Sequence, residues 1–351
     1  MRALTVIPGQ ANSAEVIDVP EPAVGDGPIL VETLALGICG TDREIVAGHY
    51  GWTPPGRDRL VLGHESIGRV IDAPSSTGVK EGDLVVGIVR HPDPVPCPYC
   101  AIDEWDMCSN GRYTERGIKQ RDGFGSERFR LEPGFAITLD PSLGWLGVLL
   151  EPTSVVAKAW NEIDRLGSRS AAWNPRTVLV TGAGPIGLLG ALIARQRGLD
   201  VHVLDRVTSG RKPDLVRELG ASYHASAETF PRDVAFDVIL ECTGALSIIA
   251  DAMARVAWSG IVCLTGVSAA AGKQFSLDLG TINRHLVLGN GVVVGSVNAN
   301  RSHFNAAAEV LKIADRDWLG KMISRRVPLA DWSQALDQHE DDVKVVLSFK
   351  Q

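Results

Sequence analysis

Side chains that bind metals occur at four places in the first half of the chain: Cys39, His64, Glu65 and Glu151. Catalytic zinc takes such thiolate, imidazole and carboxylate ligands from separate segments and keeps one coordination position open for water or substrate. Taken singly, each residue has an ordinary alternative, because cysteine, for example, is among the most frequently buried residue types. Taken together, they supply the ligand types of a catalytic zinc, which acts in enzymes as a Lewis acid.

A second kind of chemistry is indicated by residues 178–187 (VLVTGAGPIG), an apolar run that leads into G-x-G-x-x-G. The glycines allow a tight turn close to a pyrophosphate, whose charge would lie at the positive N-terminus of the following helix. A glycine turn that only packs is the alternative. Strand, glycines, helix and an acidic residue after the next strand follow one another as dinucleotide binding requires. The predicted cofactor-binding residues are Gly182, Gly184, Pro185, Ile186, Gly187, Asp205, Arg206, Thr265, Gly266 and Val267.

The choice of dinucleotide depends on the residues around Asp205. This carboxylate would accept hydrogen bonds from both hydroxyls of the adenosine ribose, which favours NAD, because a 2'-phosphate would meet a like charge. Arg206, Arg211 and Lys212 favour the opposite choice, unless they only form a solvated loop. The sequence therefore favours NAD and leaves the use of NADP open.

Two patterns of secondary structure must position these groups. Residues 1–150 are rich in Gly and Pro and hold short β-branched runs, which is typical of an antiparallel β-domain with long loops. From Arg176 onward, short apolar runs alternate with helical patterns, which indicates a parallel sheet covered on both faces. The β-branched runs of the first part are 29–36, 66–71 and 83–89, and the apolar runs of the second are 177–181, 200–204, 237–241 and 260–265. After residue 298, a helical stretch, an amphipathic segment and a final strand are expected to return to the first domain.

Four motifs in this order, GICGTD at 37–42, GHESIG at 63–68, EP at 151–152 and GAGPIG at 182–187, resemble the zinc-dependent medium-chain alcohol dehydrogenases over essentially the whole chain. Shorter motifs are similar to those of the glucose (aldose) 1-dehydrogenases within that superfamily. These shorter motifs are GHYG at 48–51, YTERGI at 113–118, DGF at 122–124 and GSVN at 295–298.

The resemblance implies an α/β protein with two domains. A GroES-like β-barrel catalytic domain would comprise residues 1–155 and 298–351, and a Rossmann domain with a doubly wound parallel sheet would comprise 156–297. The active site is expected in the cleft between these domains. The same resemblance implies that Cys39, His64 and either Glu65 or Glu151 hold the catalytic zinc.

The resemblance also implies substrate contacts for Thr41, Glu115, Glu151 and Asn298. Thr41 would contact the reacting sugar, Glu115 and Asn298 would bind sugar hydroxyls, and Glu151 would serve both metal and substrate. Ordinary alternatives stay open, because Thr41 could cap a helix and Asn298 could be a turn residue. Glu115 could equally form a surface ion pair with the adjacent Arg116.

Three cysteines, Cys97, Cys100 and Cys108, lie within twelve positions and resemble the structural-zinc lobe of the same superfamily. Tetrahedral zinc takes four ligands, so one is missing from this set. Asp103 stands where the usual pattern has its third cysteine, and it could supply the fourth ligand. Another carboxylate of the loop is an alternative, and a metal-free lobe with three buried thiols is a third possibility.

Composition restricts the partners of the protein. The 351 residues include 35 Lys and Arg against 42 Asp and Glu, so the net charge is −7. Without a basic cluster, a nucleic-acid partner is not expected, because phosphate binding depends on basic side chains. The sequence also lacks an apolar segment long enough for a membrane span. We expect a cytoplasmic protein. The family resemblance implies a homo-oligomer, a dimer or tetramer, in which residues 287–297 could pair edge to edge with a partner.

The resemblance, together with the zinc and nucleotide residues, implies a zinc- and NAD(P)-dependent enzyme that oxidises an aldose, D-glucose foremost, at C1 to the lactone by hydride transfer. Polyol, threonine and secondary-alcohol dehydrogenases share the zinc and nucleotide residues, so they are the first alternative. A non-enzymatic nucleotide-binding protein is the second, but the four metal-binding side chains argue against it.

Overall fold

The structure is a computed structural model that describes residues 1–230, 234–268 and 275–350. The chain divides into two compact units: a first unit of Met1–Ser154 and Asn298–Gln351, and a second unit of Val155–Val297. The described strands are β1 Arg2–Val6, β2 Glu15–Asp18, β3 Ile29–Ile38, β4 Leu60–Val61, β5 Glu65–Asp72, β6 Leu84–Gly87, β7 Arg90–His91, β8 Thr114–Arg116, β9 Gln120–Arg121, β10 Arg128–Leu131, β11 Ala136–Thr138, β12 Thr177–Thr181, β13 Asp200–Leu204, β14 Ser222–His224, β15 Phe236–Glu241, β16 Val256–Leu264, β17 Val292–Gly295, β18 Ile323–Pro328 and β19 Lys344–Ser348. The described α-helices are α1 Gly40–Val46, α2 Leu150–Gly167, α3 Pro185–Gln196, α4 Arg211–Glu218, α5 Leu246–Arg255, α6 Leu279–Leu288, α7 Arg301–Ile313, α8 Arg316–Met322 and α9 Trp332–Leu336.

The first unit is built around β3, a ten-residue strand. Its side chains alternate between buried and half-buried up to Leu34 and are all buried from Ala35 to Ile38, as expected for a strand that enters a core. β3 pairs antiparallel with β5, β10 and β19 in a sheet of order β11-β6-β5-β3-β19-β18, which β10 joins through β3. Two smaller sheets, β2-β1-β4 and β7-β8-β9, complete the described strands of this unit. The C-terminal segment therefore contributes β18 and β19 to the same sheet as the N-terminal strands.

The second unit holds a six-stranded sheet of order β14-β13-β12-β15-β16-β17, in which every pairing is parallel. Helices α3, α4 and α5 occur between consecutive strands, as parallel pairing requires. Leu179, Phe236, Ile239 and Val262 are members of one buried apolar cluster. The central strands thus consist of the continuous apolar runs that the sequence indicates.

Most predicted elements are found within a few residues of their expected bounds. The prediction that residues 287–297 are available for strand pairing is wrong at its start. Val287 and Leu288 are the last residues of α6, and the strand begins only at Val292. The amphipathic segment expected at 331–340 is mainly the short helix α9. Among the described residues, every helix falls short of the length or the apolar character needed to cross a bilayer.

Candidate zinc and nucleotide sites

Cys39 follows β3 directly and forms the N-cap of α1. Its Sγ lies 3.1 Å from Nε2 of His64 and accepts a hydrogen bond from the backbone N–H of Thr41 at 3.2 Å. The ligand atoms of Cys39, His64 and Glu65 all lie within 4.8 Å of one another. Two segments that are distant in sequence, the end of β3 and the start of β5, therefore bring a thiol, an imidazole and a carboxylate to one place, a donor set that suits zinc.

Asp42 supports this cluster although the sequence indicated only a helix start there. Its side chain is buried, with Oδ1 3.4 Å from Nδ1 of His64 and Oδ2 accepting the backbone N–H of Cys39 at 2.9 Å. Burial lowers the pKa of His64, but Cys39 and Asp42 outweigh it and raise that pKa well above its usual value. A carboxylate behind a metal-binding histidine is a common arrangement. Asp42 lies three residues after Cys39, and this spacing is the signal in the sequence that could have indicated its role.

Glu65 is held by a residue from the far end of the chain. Nζ of the buried Lys344 donates to Oε1 of Glu65 at 2.7 Å and to Oε2 at 2.5 Å. Glu65 stands opposite Gly37 in the β3–β5 pairing, and a Cβ on Gly37 would lie 2.1 Å from Oε2. Gly37 is therefore glycine because the carboxylate occupies the space that a side chain would need.

Glu151, the second residue of α2, is also buried but lies outside the three-residue cluster. Burial raises the pKa of Glu151 to about 7, the negative charge of Glu65 adds to the increase, and His64 and Lys344 oppose it. The sequence predicts it as a ligand, and the structure places Glu65, rather than Glu151, among the three residues that already converge.

Thr41 is the second residue of α1, while the capping role falls to Cys39. Its backbone N–H donates to the sulfur of Cys39, and its side-chain hydroxyl has no hydrogen-bond partner among the described residues. Its hydroxyl group is therefore available, half-buried beside the thiol, for a bound molecule.

Glu115 and Asn298 are brought together in the first unit. Nδ2 of Asn298 donates to Oε1 of Glu115 at 2.8 Å, although the residues are 183 positions apart. Glu115 is buried and pairs with Arg90 at 2.9 Å, not with the adjacent Arg116. Asn298 has a left-handed backbone with φ of 64°, which Asn tolerates better than most residues. The surface ion pair considered for Glu115 is thus wrong, and Arg90 is a residue of this cluster that sequence reasoning missed.

The cysteine lobe is the second cluster of metal-binding side chains. The sulfur atoms of Cys97, Cys100 and Cys108 lie within 4.8 Å of one another. Backbone N–H groups of Cys100 and Ser109 lower the pKa of Cys97 to about 6, which favours the thiolate that a metal binds. In the described part of the chain, Asp103 is not a member of this group, and its backbone ends a short 3-10 turn with φ of 63°.

Asp93 is the carboxylate linked to the lobe by hydrogen bonds. Cys108 donates to Oδ1 of Asn110 at 3.0 Å, and the amide of Asn110 donates to the buried Asp93. The lobe therefore brings three sulfur atoms together, and the carboxylate of Asp93 is linked to Cys108 through the amide of Asn110. The fourth metal ligand stays a prediction.

The nucleotide fingerprint lies in the second unit at the carboxyl end of β12. Gly182 has φ of 91° and leads the chain toward α3, which begins at Pro185. A Cβ on Gly187 would lie 1.8 Å from the carbonyl oxygen of Gly182, so the helix can approach the strand only without a side chain there. Gly184 has nothing within 4 Å of such a Cβ, which leaves open space at the helix N-terminus. This is the geometry that a pyrophosphate needs.

Asp205 follows β13 and contacts the same loop. Its Oδ2 accepts the backbone N–H of Ala183 at 2.7 Å, and Oδ1 accepts that of Val207 at 3.1 Å. The side chain is half-buried, and the following Arg206 is exposed. The carboxylate is thus fixed beside the glycine loop and still accessible, and its role as the acceptor for the ribose hydroxyls stays a prediction.

Thr265, Gly266 and Val267 follow β16, and the buried Glu241 organises them. The carbonyl oxygen of Glu241 accepts the backbone N–H groups of Thr265 and Gly266 at 2.8 and 3.0 Å. Its carboxylate accepts the backbone N–H groups of Thr243 and Gly244. Glu241 therefore holds loops at the ends of two neighbouring strands, one through its main-chain carbonyl and the other through its carboxylate. Ile186 lies half-buried in the first turn of α3.

Comparison with known families gives two adjoining matches. Residues 25–140 match the Alcohol dehydrogenase GroES-like domain family, and residues 144–349 match the Glucose dehydrogenase C-terminus family. A glucose 1-dehydrogenase of Methanocella arvoryzae is 38% identical, covering 99% of both chains. Glucose 1-dehydrogenase 2 of Vulcanisaeta moutnovskia is 36% identical, covering 100% of both chains.

A solved structure of similar fold is the Haloferax mediterranei glucose dehydrogenase in complex with NADP, Zn and gluconolactone. It superimposes with a TM-score of 0.91 at 33% identity and covers 100% of each chain. The predicted combination of a GroES-like domain with a Rossmann-type parallel sheet is confirmed by these matches.

Proposed function

Because the chain belongs to the glucose dehydrogenase family of the zinc-dependent medium-chain dehydrogenases, we propose that it oxidises an aldose, D-glucose foremost, at C1. Hydride passes from C1 to the nicotinamide of NAD(P), the hydroxyl proton is released, and the lactone is formed. One observation carries the proposal: the full-length match to an enzyme solved with NADP, Zn and gluconolactone. The convergence of Cys39, His64 and Glu65 agrees with it.

The residues present suit zinc. Cys39, His64 and a carboxylate would hold it, and Asp42 would orient the imidazole through Nδ1. Bound zinc supplies a Lewis acid that lowers the pKa of the anomeric hydroxyl. Glu65 and Glu151 are the two candidate carboxylates. Lys344 donates hydrogen bonds to both oxygens of Glu65, which fixes that carboxylate, and its positive charge balances the negative charge of Glu65.

Thr41 and the sugar-binding pair complete the proposed catalytic apparatus. The Thr41 hydroxyl would carry the proton away from the anomeric oxygen, because it lies beside the Cys39 thiol without a partner among the described residues. Glu115, Glu151 and Asn298 would bind the other hydroxyls of the sugar. A plain alcohol would leave these buried polar groups unpaired, so the site would select a polyhydroxylated substrate.

The two units would divide the work, the first holding zinc and sugar and the second holding the dinucleotide. In the second unit, the glycine loop would bind the pyrophosphate and Asp205 the adenosine ribose. In the first, Cys97, Cys100 and Cys108 would hold a structural zinc with a fourth ligand from the loop or from solvent. The geometry of each cluster and the membership in the family support this division.

The test is the initial rate of nicotinamide reduction by zinc-loaded protein with glucose, galactose, xylose, sorbitol, threonine and simple alcohols, each with NAD and with NADP. An aldose should exceed the other classes by orders of magnitude. A matched variant, Glu115→Ala, should raise the KM for sugar far more than the KM for cofactor. A polyol or alcohol as the best substrate would contradict the sugar assignment, and protein that binds no zinc and reduces no nicotinamide would contradict enzymatic function altogether.

A further inference from the structure

Arg90 is a buried residue of the first unit that none of the sequence motifs includes. We propose that Arg90 is the positioning residue that orients Glu115 for the sugar, holding Oε1 so that Oε2 is presented to a sugar hydroxyl. The inference rests on the proposed function and adds the guanidinium of Arg90 as the group that orients the sugar-binding carboxylate.

The pairing of two short strands brings the residues together. Arg90 of β7 stands opposite Glu115 of β8 in an antiparallel pair. Both side chains are only about one-twentieth exposed. Two opposite charges that are this deeply buried stabilise the fold only when the geometry of the ion pair is good and its remaining hydrogen-bonding atoms have partners.

The hydrogen bonds to Glu115 reach only one of its oxygens. Oε1 accepts hydrogen bonds from Nε of Arg90 at 3.0 Å and from Nδ2 of Asn298 at 2.8 Å, and Nη2 of Arg90 lies 2.9 Å from the same oxygen as an ion-pair contact. Among the residues that the structure describes, no donor reaches Oε2. One oxygen is therefore saturated from two directions, and the other remains an acceptor that suits a hydroxyl donor.

Arg90 is itself fixed and does not offer a donor to substrate. Nη1 donates to the main-chain oxygen of Asp106 at 3.0 Å, and the guanidinium lies 3.7 Å above the centre of the Tyr113 ring. A planar guanidinium that donates hydrogen bonds from two nitrogens, contacts Glu115 with the third and stacks on an aromatic ring is rigid. Arg90 therefore acts on the substrate through Glu115 and not directly.

Loss of the guanidinium should disorient the carboxylate. Without Arg90, Glu115 would be a buried charge with Asn298 as its remaining donor, a costly state that is relieved by rotation toward water or by proton uptake. Either change removes the oriented acceptor. Lysine would restore the charge but not the fork that reaches both Glu115 and Asp106, so Arg90→Lys should restore the function only in part.

The test compares the kcat and KM for D-glucose of zinc-loaded wild type, Arg90→Met, Glu115→Gln and the double variant, with the cofactor KM measured in parallel. Arg90→Met should raise the glucose KM roughly ten- to hundredfold, the effect of leaving a buried charged partner unpaired. The cofactor KM should stay within about twofold. Because Arg90 acts through Glu115, the double variant should be no worse than Glu115→Gln alone.

Arg130→Met is the matched control, because Arg130 also donates to backbone carbonyls of the first unit, those of Pro22 and Gly27, without contacting Glu115. It should leave the glucose KM unchanged. If Arg90→Met does not fold, Arg90→Lys should still raise the glucose KM by a smaller factor, and an unchanged glucose KM in Arg90→Lys would then overturn the inference. Effects of Arg90→Met and Glu115→Gln that multiply would overturn the inference alone, whereas a wild type that oxidises no aldose would remove the proposed function as well.

Discussion

At the scale of single residues, the zinc cluster depends on charges behind the ligands as much as on the ligands themselves. Asp42 lies behind His64 and also accepts the N–H of Cys39, so one carboxylate contacts two of the three converging residues. Lys344 has the corresponding position behind Glu65. Removing either partner should therefore weaken the metal site without removing a ligand.

Asp42→Asn should lower zinc affinity roughly ten- to hundredfold, the usual effect of losing a carboxylate behind a metal-binding histidine. The measurement is zinc retained after dialysis against a graded chelator. Asp83→Asn is the matched control, because Asp83 also accepts the backbone N–H of the residue three positions earlier, Lys80, at 2.9 Å. Equal zinc retention in the two variants would show that Asp42 serves only the helix start.

Asp205→Ser should shift cofactor preference toward NADP, because the substitution removes the negative charge that a 2'-phosphate would meet. The ratio of kcat/KM for NADP to that for NAD should rise by about tenfold, equivalent to about 1.4 kcal/mol. Asp200→Ser, at the opposite end of the same strand β13, is the control and should leave the ratio unchanged. An unchanged ratio in Asp205→Ser would mean that the ribose is bound elsewhere.

At the scale of elements, the loop between β12 and α3 contains one glycine that the fold requires and another that cofactor binding requires. Gly187 is needed for packing, since its Cβ would overlap the carbonyl of Gly182, while a Cβ on Gly184 has free space around it. The two glycines of one motif therefore have different reasons to lack a side chain.

Gly184→Ala should fold with a wild-type melting temperature and lose cofactor affinity, because the new methyl group occupies the approach of the pyrophosphate. Gly187→Ala should lower the melting temperature by several degrees as well, because the helix must shift away from the strand. Thermal unfolding and cofactor titration by fluorescence test both variants. A Gly184→Ala protein with wild-type cofactor affinity would contradict the placement of the pyrophosphate.

At the scale of the whole molecule, the sheet of the second unit ends at β17 in the described part of the chain. Val293 and Val297, in and after this strand, are exposed. An edge strand with exposed apolar side chains can pair with another chain. We propose that two copies of the protein associate through β17.

Val293→Lys should therefore shift the mass measured by light scattering toward that of a monomer, because edge lysines oppose strand pairing. Val24→Lys, an equally apolar and more exposed position of the first unit, is the control and should leave the mass unchanged. A wild-type protein of 37.6 kDa in solution would contradict the expected oligomer.

The features that the sequence predicted are those encoded by neighbouring residues. The strand, glycines and helix of 178–187 lie within ten positions, so backbone rules and apolar periodicity suffice to predict them. The types of the zinc ligands and their order along the chain could likewise be read directly. The alternation of strand and helix predicted the parallel sheet for the same reason.

What only the tertiary structure decided are the partners across long sequence distances. Glu115 pairs with Arg90 instead of the adjacent Arg116, because neighbouring strand residues point to opposite faces and the β7–β8 register selects the partner. Lys344 reaches Glu65 across 279 positions because β19 and β5 both pair with β3. The sequence by itself determined which chemical groups are available, and strand register determined which of them meet, because a shift of one residue would turn each side chain to the opposite face.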